Sequence, residues 1–525
     1  MVTSMLFSLG AAAIAARNRT PGSDEGSFSS ASYNLAQHGF LGTTVIESAG
    51  TKFTRIEQRT YWVMPLYLLG QALWYKLAPA SLFATRFFTI LWIPAALLAF
   101  YFFLNRLLPN SGAPPLGVCL LALSFNFMDN AGLARPDFMC CTLGLGGLAA
   151  YLALRERHLN RALFVANCLV AASVLTHPNG IYYLAALAVL VVWFDRRRMG
   201  PRQMLPASMP YVLFGAVWSI YVLQDLPAFL DQMGANAHGR WTATLNPLAI
   251  LWREIGERYL LGFGLITRGL AIFKAYALVT YITGVAGCLA SRRLRQQRST
   301  RLLLTLLAVY FAAMCLFNQK LSYYLIHIVP FYIALLAVWS AHLWTSQPRL
   351  RLVLCCSLGI LVALETGGIV FKSRLRSYLS LQRPAVKFVL AHTKPTGRIV
   401  GTAALLYEMG FDPRLRDDPD LGLNSERTPD VIVVEPIYRV LYGGWRAERP
   451  VDMHRIERRL SSYTLAYRSG EYDVCLAPSH DLQGGAGVSL QSLRSDVRFS
   501  SAKVRARDEW TGQHCVVGES VPAGP

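Results

Sequence analysis

Apolar positions in this chain fall in long uninterrupted blocks, without the short alternation of a globular domain. The blocks are Leu82 to Leu104, Pro115 to Met128, Phe138 to Leu154, Ala162 to Leu175, Ile181 to Phe194, Leu205 to Leu223, Tyr276 to Ala290, Leu302 to Phe317, Tyr323 to Trp344 and Leu352 to Phe371. A helix of about 20 apolar residues crosses a bilayer, and shorter ones are accommodated by tilt or local thinning. Each block is therefore read as a membrane helix. Met1 to Ala16 is apolar but lacks a basic leader region, and is expected to be a short first helix and not a cleaved signal. The sum is a mostly α, polytopic transmembrane bundle of about eleven helices.

The pattern changes after Phe371. Strand-like runs at Arg398 to Ala403, Asp430 to Glu435, Tyr463 to Tyr467 and Tyr472 to Ala477 are interspersed with helical stretches such as Pro384 to His392. This predicts a small α/β domain over residues 372–478, behind a transmembrane domain of residues 1–371. The Ser-, Gly- and Arg-rich tail, residues 479–525, is expected to be loosely ordered. Two further stretches read as surface helices at the membrane: Ile56 to Leu77, where Arg59, Tyr61, Pro65 and Trp74 interrupt apolar residues, and Pro247 to Tyr259.

Composition agrees with a membrane protein. Of 525 residues, 53% are hydrophobic and 16% charged, against about 25% charged in globular domains; mean hydropathy is +0.34. The formal charge of +20 would suggest nucleic acid in a soluble protein. Here the arginines cluster in loops, at Arg155-Glu156-Arg157 with Arg161, Arg196-Arg197-Arg198 with Arg202, Arg292-Arg293 with Arg295 and Arg298, and Arg349 with Arg351. Counted from a cytoplasmic N-terminus, all four fall on one side, which the positive-inside rule makes cytoplasmic. The C-terminal domain is then extracytoplasmic, at the inner (plasma) membrane of a cell. Eight of the ten cysteines lie in or beside apolar blocks and read as small hydrophobes. Cys475 and Cys515 stand in the polar part and could pair in an oxidising compartment.

The opposite loops carry the ionisable groups: Asp24-Glu25, Arg135-Pro136-Asp137, His177-Pro178-Asn179, the segment Gln224 to Lys274, and Asn318-Gln319-Lys320. Thr20 to Gly39 is the most conspicuous, because adjacent acids at a membrane are costly unless they hold a cation or a substrate, or move protons. A Ser-rich run after them is expected to form a short helix through Tyr33. The chain has no Gly-x-Ser-x-Gly elbow, no His-Glu-x-x-His pair and no Cys-x-x-Cys. What remains is a carboxylate-centred site with outward cations, suited to group transfer from an anionic lipid-linked donor. Asp24, Glu25, Asp137 and His177 together are also compatible with a divalent metal ion, although a lone His before Pro is more often a structural group. His238, Arg240 and Trp241 are candidates to cover the donor or bind an acceptor.

The order of motifs resembles the GT-C superfamily of membrane glycosyltransferases, in the bacterial branch related to protein O-mannosyltransferases and lipid A aminoarabinose transferases. The residues that carry the resemblance are Asp24-Glu25, Ser29 to Ala36, Met64-Pro65-Leu66-Tyr67, Ala84-Thr85-Arg86 and Gln319-Lys320-Leu321-Ser322-Tyr323-Tyr324, with Pro330 beyond them. It spans roughly residues 1–371. The resemblance implies an inverting transferase that moves a hexosyl or pentosyl group from a polyprenyl-phosphate donor to a lipid, glycan or protein acceptor on the extracytoplasmic face. It implies Asp24, with its neighbour Glu25, as catalytic acids, and Asp137 as a second acid that helps hold the acceptor or a metal. Lys320, Arg86, Tyr323 and Tyr324 would bind the donor phosphate, and Arg59, Tyr61 and His177 the substrate. Arg86 reads equally well as a structural helix-end arginine. The first helix is short for the family, and the C-terminal domain carries no motif that defines an acceptor.

Two other classes compete. A lipid or anion transporter would place ionisable or helix-breaking residues near the bilayer midplane, often in paired repeats. This chain shows no repeat and puts its ionisable groups at helix ends. A structural scaffold of the cell envelope would have no need of the Asp24-Glu25 pair.

Overall fold

The computed structural model describes residues 1–237, 246–265 and 273–478; the expectations for His238, Arg240, Trp241, Cys515 and the tail lie outside them. Every apolar block is helical. Among the described residues nine helices are long and apolar enough to cross a membrane, from Leu82–Leu107 to the one within Pro348–His392. Ala113–Leu123 is a shorter apolar helix, and the chain begins with the 17-residue helix Val2–Asn18. The chain is a multi-pass helical membrane protein.

Proline explains several boundaries. Pro136, Pro201 and Pro330 stand in the first turn of their helices, where the missing N–H is no loss and the fixed φ suits a helix start. Pro94 acts differently. It lacks the N–H that would bond to Ile90, and its ring crowds that carbonyl. The long helix accordingly breaks into Leu82–Ile90 and Trp92–Leu107. The Tyr323 to Trp344 block begins with a 3₁₀ segment, Ser322–His327, and turns α-helical only at Val329. Of Ile56 to Leu77, only Pro65–Leu77 is helix. The Pro247 stretch runs α-helically to Arg253 and then as a π-helical turn, Glu254–Leu260.

Inside a bilayer, helices are held by close van der Waals packing more than by any hydrophobic drive. Gly144 shows the closeness required: a Cβ there would lie 2.1 Å from the Tyr183 ring. The arginine loops converge at one end of the bundle. Arg198 donates to the Arg155 carbonyl, Arg298 to the Trp193 carbonyl, and Arg155 and Arg298 both lie against the Phe194 ring. Asp24, Arg135 and His177 occupy helix ends at the other.

The C-terminal α/β unit holds a five-stranded sheet: β1 (Ile399–Val400), β2 (Leu415–Arg416), β3 (Val431–Val434), β4 (Thr464–Ser469) and β5 (Tyr472–Leu476), in the order β2-β1-β3-β5-β4. The β1 pairings are parallel and those of β5 antiparallel. β2 is absent from the sequence expectation because two residues give no alternation to read. The helices Arg383–His392, Pro436–Glu448 and Pro450–Ser461 flank the sheet.

Glu435, just before the Pro436–Glu448 helix, is buried with one oxygen accepting from the Thr402 N–H at 3.0 Å. Burial, with the nearby Asp417 charge, pushes its carboxyl up to about 8 from an ordinary 4.5. Between those values the folded chain keeps a proton that the unfolded chain has released, so stability falls as pH rises through that window and the penalty is complete above it. Glu435→Gln keeps the acceptor and carries no charge. Thermal scans of the purified protein at about pH 5, 7 and 9 are expected to show the wild-type melting temperature falling more than that of Glu435→Gln, with the largest gap at the highest pH.

Candidate active site

Asp24 and Glu25 are not in a loop. They occupy the first turn of the Ser23–His38 helix, where carboxylates complement the helix dipole. Glu25 reaches back to accept the Gly22 N–H at 2.9 Å, closing the N-terminus. Adjacent helical residues point about 100° apart, and the two acids diverge accordingly.

Glu25 turns inward and is 1% exposed. Its oxygens accept from Arg86 Nε and Nη2, both at 2.8 Å, and from the Ala134 N–H at 2.7 Å. Arg86 is fully buried and also donates to the carbonyls of Ala16, Arg19 and Thr20. Burial alone would raise the Glu25 carboxyl, but the Arg86 guanidinium and the two backbone donors hold it below its ordinary range. This pair is a strut that ties the end of the first helix to the second. Arg86 has no donor left for a phosphate, which agrees with its reading as a structural helix-end arginine, and both oxygens of Glu25, expected as a catalytic acid, are engaged within the protein.

Asp24 faces outward. Its carboxylate is ion-paired with Arg135 Nη1, and about a fifth of its side chain is exposed. Arg135 Nε also contacts Asp137 Oδ2 at 3.0 Å, and its guanidinium lies 4.2 Å from the centre of the Tyr323 ring. Asp137 is fully buried, with His177 Nε2 at 3.8 Å from its Oδ1. The His177 ring in turn lies 5.6 Å from Tyr324. Asp24, Asp137, His177, Tyr323 and Tyr324 therefore stand in one constellation, with Arg135 at its centre. In the sequence, Arg135 stands out only as part of the Arg135-Pro136-Asp137 helix end. The divalent-metal expectation does not fit these residues: the Arg135 guanidinium sits between Asp24 and Asp137, Glu25 is committed elsewhere, and the described residues hold no cluster of three metal-ligating groups.

The constellation opens on a cavity of about 140 Å³, lined by Asp24, Arg135, His177, Tyr323 and Tyr324 from the bundle and by Asp417, Asp418, Asp420 and Tyr438 from the C-terminal unit. A second cavity, of about 160 Å³, shares Arg135 and Tyr323 with the first, since both residues line both. Lys320, Arg59 and Tyr61 line neither cavity. Lys320 Nζ pairs with Glu254 at 2.8 Å and donates to the carbonyls of Met314 and Cys315. Glu254 is shared with Arg258, and both are fully buried. Arg59 bonds the Gln224 side chain, and Tyr61 is buried with its hydroxyl donating to the Tyr221 carbonyl. These two brace the end of the Pro201–Val222 helix and the turn after it, and do not line the cavity.

The C-terminal unit is built into the site. Asp417 Oδ2 accepts from Ser23 Oγ at 2.6 Å and from the Ala403 N–H at 2.8 Å, while Oδ1 accepts from the Tyr438 hydroxyl at 3.0 Å. Its backbone pairs with Val45 and Glu47 of the first loop. The Tyr407 hydroxyl donates to the Glu25 carbonyl at 2.8 Å. Gly26 lies so close that a Cβ would sit 1.9 Å from the Ala403 carbonyl oxygen. The helix that carries Asp24 is thus clamped by the C-terminal unit, and the acidic run Asp417-Asp418-Pro419-Asp420 is the sequence signal of that contact. Burial pushes the Asp418 carboxyl up to about 6 and raises those of Asp417 and Asp420 as well.

No family model matches the chain, and no curated protein matches it. Solved structures do share its fold. It is similar to ArnT from Cupriavidus metallidurans bound to undecaprenyl phosphate, with a TM-score of 0.57 and 14% identity over 92% of this chain and 98% of that one. It is similar to an oligosaccharyltransferase from Archaeoglobus fulgidus in its apo form, with a TM-score of 0.54 and 11% identity over 92% of this chain and 76% of that one. The arabinofuranosyltransferase AftD from Mycobacteria gives a TM-score of 0.51 and 12% identity over 92% of this chain and 40% of that one. The chain shares the fold of these solved structures.

Proposed function

We propose that this chain is a membrane glycosyltransferase that moves a sugar from a polyprenyl-phosphate-linked donor to an acceptor hydroxyl or amine. The observation that carries the reading is Asp24, the member of the acid pair that lines the first cavity, held by Arg135 beside Tyr323 and Tyr324. The fold shared with ArnT bound to undecaprenyl phosphate, and with two further glycosyl-transferring proteins, supports it. In the reaction, the acceptor attacks the anomeric carbon from the face opposite the phosphate. The bond between that carbon and the phosphate oxygen breaks, polyprenyl phosphate departs, and the Asp24 carboxylate takes the acceptor proton. A single displacement of this kind inverts the anomeric centre. Tyr323 and Tyr324 are assigned to the donor, while His177 and Asp137 keep Arg135 and the acceptor in place. The convergence of the arginine loops at the far end of the bundle supports an active site on the extracytoplasmic face of the inner membrane.

The test is turnover of a radiolabelled polyprenyl-phosphate sugar by the purified protein, with envelope extract as the acceptor source. The expected result is label in a new product, with opposite anomeric configuration, and release of polyprenyl phosphate. A donor that crosses the bilayer intact, with no bond broken, would instead make the chain a transporter.

A further inference from the structure

The second cavity differs from the first in charge. The first receives the carboxylates of Asp24, Glu47, Asp417, Asp418 and Asp420; the second is lined by Arg19, Arg135, Lys274 and Lys372, with Asp129, Glu25 and Glu435 as its acids. Asp129 contacts Arg19 Nη1 at 2.7 Å and Lys372 Nζ at 2.6 Å, and all three side chains keep some exposure to the recess. Lys274 has no carboxylate within ion-pair distance among the described residues. Its ammonium lies 5.1 Å from the centre of the Phe125 ring, which the Lys372 ammonium approaches at 5.2 Å. The other acids of the recess do not balance these charges. Glu25 is spent on Arg86, and burial pushes Glu435 up to about 8, so it is neutral at physiological pH. Together the three cations overcome the burial of Asp129 and hold its carboxyl well below the usual range.

Two lysines converging on one aromatic ring, with an arginine beside them and one carboxylate among the three, carry mutual repulsion that an anion in the recess would remove. Phosphate is the anion such a set accepts best, since ammonium and guanidinium groups both donate to its oxygens. Arg86 and Lys320, the cations that the sequence offers for this task, are already saturated by Glu25 and Glu254.

We infer that the Arg19–Lys274–Lys372 recess is a phosphate-binding site, distinct in charge from the acidic cavity with which it shares Arg135 and Tyr323. The charge argument stands without the proposed reaction; only the identity of the phosphate carrier, a lipid substrate of the transfer or a surrounding phospholipid, rests on that reading.

The experiment is binding to the full chain in nanodiscs of neutral lipid, with undecaprenyl phosphate, phosphatidylglycerol, inorganic pyrophosphate and uncharged undecaprenol as probes. Wild type and Asp24→Asn are expected to bind undecaprenyl phosphate alike. Lys274→Gln, which orphans no carboxylate, should weaken that binding about 10- to 100-fold, as the loss of one charge-assisted hydrogen bond does, and Lys274→Arg should retain it. Tighter binding of undecaprenyl phosphate than of phosphatidylglycerol assigns the site to a polyprenyl substrate; the reverse assigns it to the surrounding lipid, and pyrophosphate binding alone assigns it to a free anion. Equal binding of undecaprenol and undecaprenyl phosphate, no binding of any phosphate probe, or undiminished binding by a folded Lys274→Gln protein would overturn the inference. Phosphate binding that depends on Lys274, without any sugar transfer by wild type, would sink the proposed reaction and leave the recess standing.

Discussion

Arg86→Ala is expected to be the most destabilising single change at this end of the molecule, at a cost of about 3–5 kcal/mol, because it leaves the buried Glu25 carboxylate without its countercharge. Three carbonyls, of Ala16, Arg19 and Thr20, lose a donor in the same step. The protein has two ways to respond. It can protonate Glu25, which gives up part of what the Ala134 and Gly22 N–H groups contribute, or it can open the junction between its first two helices. Either route lowers the thermal midpoint, and the second also displaces Asp24. Arg86→Lys keeps the charge and loses the two-pronged contact with Glu25, so its loss should be smaller. Thermal unfolding of the three proteins in one detergent measures the series. A wild-type midpoint for Arg86→Ala would remove the strut from the account and return Arg86 to the list of groups available to a substrate.

The sequence made the bundle easy to read, because a bilayer imposes a length and a composition on each spanning segment. Pro115 to Met128 and Tyr323 to Trp344 were visible as apolar blocks, while their breaks at Ser124 and Ile328 were not. Polar and apolar count alone does not register a short 3₁₀ or π turn. The site was legible in part for the same reason. Helix-end acids stand out against an apolar background, and Asp24, Asp137 and His177 do meet. Sequence could not show which acid of the Asp24-Glu25 pair would be buried, since that depends on Arg86 and Ala134, both far along the chain. Nor could it show that Lys320 had a partner, because Glu254 lies in a stretch that reads as a solvated surface helix. The largest omission was the C-terminal unit. Four of its five strands were legible as β-favouring runs, but the contact of Asp417 with Ser23 spans 394 positions, and no local pattern encodes it.

The second large effect belongs to Asp24. A positioned base contributes about 10²–10⁴-fold to a transfer reaction, and Asp24→Asn removes the proton acceptor while keeping the shape and a polar contact to Arg135. Turnover is expected to fall by that factor. Stability should change little, because the Asp24 side chain is partly exposed, unlike Glu25. Donor binding should survive, since the proposed phosphate recess is lined by other residues. The deciding measurement is single-turnover transfer from a radiolabelled polyprenyl-phosphate sugar, with wild type and Asp24→Asn at equal abundance and equal donor occupancy. The account predicts a loss of about 10²-fold or more with the thermal midpoint unchanged. Equal rates from the two proteins would contradict it.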